Sequence, residues 1–505
     1  MRPDGYQPIT IGRGIRCAAG RVPDRAALIA DDRQLTYREL VRRMARVAHT
    51  GREHFGLRTS DRVVLVAPNT LSYVELVAGF SDIGAIVVTL SPRLTARELG
   101  EIVSDCDPRL ILVDPSCAAA NDVSWAGGIA VQRLDDSYEA LIARARDGAP
   151  DVVIDETAPF ALAYTSGTTG RPKGVLLPHR SRALTFMAMA GEYRCFGVDD
   201  HFLAMAPMCH GAGFVFACAT LFFGGTTTLF DGGDPIAMLD RIGRGDISGV
   251  FVVPTQLARL FDQPQSALDA RRNHALTTMI SNASALPQLL KERAIEQFGH
   301  GILHESYGST EGGIVTNIRP ADLLRKPGSV GLAFAGVEVE LRGEDGAPVP
   351  SGEAGELFCR SATSFTGYWN RSEDTAAALV DGWVTVGDVA VSDAEGFITI
   401  VDRKKDMVVT GGLNVYPREI ERVIAALPDV HDVAVIGTPS REWGESLHAF
   451  VVQRPGMAID ADAIIAACRA QLAGYKVPRQ ISFIDELPRN VGGKVLKTVL
   501  RAQPS

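Results

Sequence analysis

Paired cysteine spacing is missing from this chain of 505 residues. Its eight cysteines are Cys17, Cys106, Cys117, Cys195, Cys209, Cys218, Cys359 and Cys468, and no two stand at CxxC separation. The spacing therefore supports neither a zinc centre nor a dithiol redox site. Most lie among apolar neighbours and read as small buried hydrophobes, a usage that fits a reducing, cytoplasmic setting. A basic excess is missing too. The formal net charge is -9, which disfavours a nucleic-acid partner. The first residues carry Arg2, Asp4 and Arg13 without an apolar h-region, so no signal peptide is expected. The stretch 202–230 contains no Asp, Glu, Lys or Arg. It is nevertheless dense in Gly and Thr and holds Pro207 and His210, so it reads as buried core and pocket wall rather than a membrane span. Internal repeats and low-complexity tracts are absent.

What remains is an ordinary globular composition, 46% hydrophobic and 22% charged, in a chain too long for one core. Charge is unevenly spread. Residues 403–505 carry 14 Lys and Arg against 11 Asp and Glu, a balance of +3, which leaves -12 for the rest. Such a tail suits a small anionic ligand, and scattered surface charge explains it equally well.

Thr36 with Glu39 and Thr95 with Glu98 are spaced as capping boxes, each opening a helix. Between and after them the apolar runs VVLVA (63–67), IVVTL (86–90) and LILVD (110–114) read as buried strands. Strand alternating with helix over short connections predicts a parallel, doubly wound sheet. A second alternating region spans 161–316, and 328–401 turns to short alternating runs that read as antiparallel β structure. After Asp402 a charged cluster precedes a helix with Pro417 in its first turn, strands at 432–437 and 447–453, and a helix through Ile464 and Cys468. The expected class is α/β. A large N-terminal domain, 1–402, has doubly wound mixed sheets and a β-rich subdomain at about 328–401, and a small α+β domain, 403–505, follows it.

The segment YTSGTTGRPKG, 164–174, leaves the end of the strand FALAY. Gly167, Gly170 and Gly174 free the backbone to curl around an anion. Thr165, Ser166, Thr168 and Thr169 add hydroxyl donors, and Lys173 adds charge. Gly174 follows the lysine where a Walker A loop needs Ser or Thr, and no GxSxG elbow is present, so Ser166 is no hydrolase nucleophile.

Further motifs follow in order: MAPMCHG (205–211), ESYGSTE (305–311), DGWVTVGD (381–388), VDRKKDMVVTGGLNVYPREIE (401–421) and PRNVGGKVLK (488–497). With the glycine-rich loop they cover nearly the whole chain. In this set and order the sequence resembles the adenylate-forming superfamily of acyl- and aryl-CoA synthetases, luciferases and peptide-synthetase adenylation domains. The free-standing acyl-CoA synthetases are the nearest match.

The resemblance implies an acid–thiol ligase whose small C-terminal domain is a mobile lid. A carboxylate is adenylated by ATP with loss of pyrophosphate, and the acyl group then passes to coenzyme A with loss of AMP. Lys494 is implied at the α-phosphate and carboxylate during adenylation. Glu311, with Thr165, is implied to hold Mg²⁺, Thr310 to bind nucleotide phosphate, and Tyr307 to stack on adenine beside Ser306 and Gly308. The carboxylate of Asp388 is implied at the ribose hydroxyls and Arg403 at the same edge. Lys405 stands at the hinge, and Gly411 with Gly412 on the face the thiol enters. His210 reads either as a packed core residue or as a gate at the acyl pocket, whose other walls are Ala212, Val253, Ser281 and Asn282. Ser306 stands where the family often has glycine, and SNASAL (281–286) where many members carry a Gly-Gly-Ala pattern. No arginine occurs at these pocket positions, so a dicarboxylate such as malonate, which would want one, is disfavoured, and an apolar acid, aromatic or medium-chain, is expected. The expected partners are small molecules, with a homodimer and the loading of a separate carrier protein left open.

Overall fold

The computed structural model describes residues 5–165, 172–230, 232–410, 413–440, 442–489 and 495–502. The chain divides into two compact units, one of Met1–Glu338 with Cys359–Val384, the other of Val339–Phe358 with Thr385–Ser505.

In the first unit both predicted capping boxes form. The Thr36 hydroxyl accepts from the Glu39 amide while the Glu39 carboxylate accepts from the Thr36 amide at 2.8 Å, and Thr95 with Glu98 does the same. Two of the helix's otherwise orphan donors are thereby satisfied, so Tyr37–Glu53 starts cleanly and buries Leu40, Met44 and Val47. The three apolar runs become strands Arg62–Val66, Ile86–Leu90 and Leu110–Val113, paired parallel in register. Their continuous apolar character is what a sheet covered on both faces demands. This seven-stranded sheet continues through Pro159–Thr165 to the antiparallel Lys173–Pro178 and Gly367–Tyr368.

The second sheet has nine strands. Its parallel centre runs from Leu303–Ser309 through Thr278–Ser281, Gly249–Val252, His201–Ala204 and Thr226–Leu229 to Ala26–Ala30. Antiparallel strands close both edges. The uncharged stretch 202–230 supplies two of these strands and the helix Gly211–Phe223 between them, which packs against helix His179–Tyr193 through Phe222 and Phe186, ring centroids 5.5 Å apart. No helix among the described residues is long and apolar enough to cross a membrane. Gly213 is obligatory at the start of that helix, because a Cβ there would lie 2.2 Å from the Pro207 carbonyl oxygen.

In the second unit, strand Gly444–Gln453 pairs with Val430–Ser440 antiparallel and with Gln480–Phe483 parallel. Helices Pro417–Ala425 and Ala461–Gln471 supply Ile420, Ile424, Ile464 and Cys468 to a core completed by Val435, Ala449 and Val451.

Candidate active site

The two strands that flank the glycine-rich segment pair antiparallel, with Thr165 directly opposite Lys173 in the register. That pairing fixes the mouth of the loop. Ser166, Gly167, Thr168, Thr169 and Gly170 lie outside the described residues, as do Gly411, Gly412 and Lys494. The Lys173 ammonium is held by Asp374 at 2.5 Å and stands 5.4 Å from the centroid of the Tyr368 ring. The Tyr368 hydroxyl donates to Glu311 Oε1 at 2.8 Å. Burial, and then the Glu311 charge, push the Tyr368 phenol far above its ordinary range, so it stays a donor. The Phe365 amide donates to the Glu311 carbonyl and the Trp369 amide to the Gly174 carbonyl, both at 2.8 Å. One ten-residue segment, 365–374, therefore ties the mouth of the loop to the turn that carries Glu311.

That turn joins strands Leu303–Ser309 and Gly313–Ile318 and carries Thr310 and Glu311. Gly308 is required on the strand leading into it, since a Cβ would meet the Gly313 carbonyl oxygen at 2.1 Å. Glu311 is 8% exposed. Tyr307 is half-buried on the same hairpin. Ser306 is buried, its hydroxyl 2.6 Å from that of Tyr193 and donating to Asn317 at 3.3 Å, so this departure from glycine is absorbed by a polar network.

His210 is the N-cap residue of helix Gly211–Phe223, and no side chain caps that terminus. Burial, reinforced by the charge of Arg93, lowers its pKa and keeps the imidazole neutral near neutral pH. Ala212 is half-buried beside it. Ser281 ends a strand with a fully buried hydroxyl that finds no partner among the described residues. Asn282 accepts from the amide of Ala283, which adopts a left-handed φ of 77°. Val253 precedes Pro254, the first residue of a helix, and its amide donates to Gln256 at 3.0 Å.

In the second unit Asp388 and Arg403 face each other across an antiparallel pair of strands, with Nε 3.0 Å from the carboxylate. Asp388 is 6% exposed. Lys405 sits in the single turn Lys404–Asp406 that follows, its pKa lowered by burial. Among the described residues no group of three or more His, Cys, Asp or Glu could ligate a metal.

Sequence reasoning missed Tyr368, Asp374 and Arg182. The first two reach their partners across 57 and 201 residues, beyond any local pattern. Arg182 is 5% exposed on helix His179–Tyr193. The pocket positions contain no arginine, yet the fold brings the Arg182 guanidinium to 3.8 Å from where a Gly211 Cβ would stand.

The sequence profile of the AMP-binding enzymes matches residues 15–369, and that of the AMP-binding enzyme C-terminal domain matches residues 419–494. A feruloyl-CoA synthase of an Amycolatopsis species is 36% identical over 92% of this chain and 93% of its own length. Among solved structures, ATP-bound MatB from Rhodopseudomonas palustris superposes with a TM-score of 0.89 at 31% identity, covering 97% of this chain and 98% of that one. The o-succinylbenzoate CoA synthetase of Bacillus subtilis, in complex with its acyl-adenylate intermediate, gives 0.87 at 26% identity over 99% of both chains. The chain belongs to the AMP-binding enzymes, and within them to the AMP-forming acyl-CoA synthetases.

Proposed function

We propose that this synthetase activates an acid with an apolar body, aromatic or medium-chain, and that its motif residues divide the work between the two half-reactions. The contact chain from Thr165 through Lys173 and Tyr368 to Glu311 carries the reading, because it joins the phosphate loop to a buried carboxylate through charged and hydrogen-bonded partners.

In the first half-reaction a carboxylate oxygen bonds to the α-phosphorus of ATP while the bond to pyrophosphate breaks. Two anions must meet, so positive charge must converge on the reacting centre. The loop amides and the hydroxyls of Thr165, Ser166, Thr168 and Thr169 cradle the phosphates, and Lys173 leaves Asp374 to join them. Glu311 and Thr165 offer only oxygen donors and would hold Mg²⁺, whose charge offsets that of the phosphates. Tyr368 orients the Glu311 carboxylate. Thr310 binds phosphate, Tyr307 stacks on adenine, and Asp388 accepts from the ribose hydroxyls with Arg403 beside it. Lys494 stabilises charge developing at the α-phosphate.

In the second half-reaction a thiolate attacks the acyl carbon, the carbon–oxygen bond to AMP breaks, and AMP leaves. Residues 403–505 swing about Lys405 between the steps, exchanging Lys494 for the Gly411–Gly412 face. Neutral His210 orients or gates the acyl pocket, which Ala212, Val253, Ser281 and Asn282 line. The eight thiols are all unpaired, which supports a cytoplasmic setting.

Pyrophosphate release with ATP, Mg²⁺ and a panel of acids, with and without coenzyme A, tests the reading. Turnover that requires coenzyme A and yields AMP and a thioester is expected. A single burst that coenzyme A fails to relieve assigns the thiol to a carrier protein instead. Lys494→Ala is expected to abolish adenylation while sparing thioester formation from supplied acyl-adenylate, and equal loss of both steps refutes the division of labour.

A further inference from the structure

Arg182 carries a charge that the protein leaves uncompensated. Its side chain lies in the interior at 5% exposure, and burial alone pulls its pKa down to about 10, with no carboxylate offsetting the loss of water. Among the described residues its side chain makes no hydrogen bond, ion pair or ring contact, and its nitrogens keep a narrow opening to solvent. Burying a lone guanidinium is costly, and proteins normally supply a counter-charge.

The guanidinium is aimed at one place. Its Nη2 lies 3.8 Å from the position of a Gly211 Cβ. Gly211 is the exposed first residue of the thirteen-residue helix Gly211–Phe223, whose amino terminus no side chain caps. Free N–H groups and the helix dipole make that terminus electropositive. Glycine at 211 leaves the space before the guanidinium empty, and Ala212 adds only a methyl. Two independent sources of positive potential thus converge beside His210, and no heavy atom other than Arg182 Nη2 lies within 4 Å of where a Gly211 Cβ would stand.

We propose that Arg182 and the amino-terminal amides of helix Gly211–Phe223 form a subsite for a second anionic group of the acid substrate, a carboxylate carried at the far end of its apolar body. This rests on the placement of His210 and Ala212 at the acyl pocket. It keeps the apolar body but reverses the expectation that a dicarboxylate is disfavoured, because the tip is charged. A guanidinium can grip a carboxylate with two parallel hydrogen bonds, and the buried setting strengthens them. Phosphate of coenzyme A shares the same anionic oxygen chemistry, but the acid occupies this pocket in the first half-reaction, before any thiol is needed.

The test is ATP–pyrophosphate exchange without coenzyme A, using matched pairs of dicarboxylic acids and their monomethyl esters on straight-chain and aromatic bodies. The full-length enzyme is expected to prefer the best diacid over its ester by about 100-fold in kcat/KM, the range for removing one partner of a buried charge pair. Arg182→Met should collapse that ratio towards one, and Arg182→Lys should keep part of it. Thermal unfolding without substrate gives a second readout. Arg182→Met should raise Tm by a few degrees, because an unpaired buried charge is replaced by a packed thioether. A lower Tm would mark Arg182 as structural and overturn the proposal. So would a wild-type preference for esters, an unchanged ratio in Arg182→Met, or an Arg182→Met defect confined to the coenzyme A step. Exchange with monoacids alone overturns the subsite and leaves the synthetase reading standing, whereas exchange with no acid overturns both.

Discussion

Lys291 and Arg182 are both buried cations of the first unit, 1% and 5% exposed. Lys291 lies 2.5 Å from Glu305 Oε2, and the other oxygen of that carboxylate accepts from the Leu286 amide at 2.9 Å. The contact is a charge pair rather than an aligned hydrogen bond, since Glu305 Oε2 has no hydrogen-bonded partner among the described residues. It is closed on itself and pins helix Gln288–Phe298 to strand Leu303–Ser309. Arg182 has no such partner, and its guanidinium ends beside a glycine. A cation with a fixed counter-ion serves the fold, and a cation without one is held ready for something that arrives.

The contrast predicts opposite signs for similar substitutions. Lys291→Met leaves Glu305 as an unpaired buried carboxylate and should cost about 3–5 kcal/mol in denaturant unfolding. Lys291→Met with Glu305→Leu should recover most of that loss, while Arg182→Met gains stability. If Lys291→Met proved neutral, the distinction between the two cations would collapse.

Histidines extend the comparison to pH. His179 is 1% exposed, neither ring nitrogen has a partner among the described residues, and burial lowers its pKa to about 4. Between pH 6.5 and 4 the unfolded chain binds a proton that the native His179 refuses, so its contribution is intact above 6.5 and lost as pH falls to 4. The slope should approach about 1.4 kcal/mol per pH unit for this group. The urea midpoint of wild type should fall relative to that of His179→Phe between pH 7.5 and pH 4.5. A constant separation would remove His179 from the account.

Smaller effects attach to partnered groups nearer the surface. Tyr368→Phe deletes one donor to Glu311 and should cost about 1–2 kcal/mol, with a raised KM for ATP if the orienting role holds. Thr36→Ala opens one capping box and should cost about 1 kcal/mol with no change in KM.

The first sheet was legible because its strands are continuous apolar runs flanked by capping boxes. Runs 63–67, 86–90 and 110–114 each correspond to a strand, within a residue or so at the ends. The order of the nine-stranded sheet was not legible, since Ala26–Ala30 pairs with Thr226–Leu229 some 200 residues away. The helix predicted through Leu427 ends at Ala425, and Leu427 still packs against the same core from the turn beyond. Motifs named Thr165, Lys173 and Glu311 in the first unit and Asp388 and Arg403 in the second, but not Asp374 and Tyr368, which hold Lys173 and Glu311. Tyr368 sits in an unremarkable GYWN stretch, and Arg182 in HRSRAL, which none of the motifs covers. Only tertiary packing turns the second of those arginines inward.

The segment 365–374 touches both the loop mouth, through Trp369 and Asp374, and the Glu311 turn, through Phe365 and Tyr368. It acts as a gauge block between two sheets, setting the distance between the loop mouth and the Glu311 turn. A single residue inserted there would detune both jaws together. The same insertion in 145–153, a stretch outside any helix or strand, would be absorbed as slack.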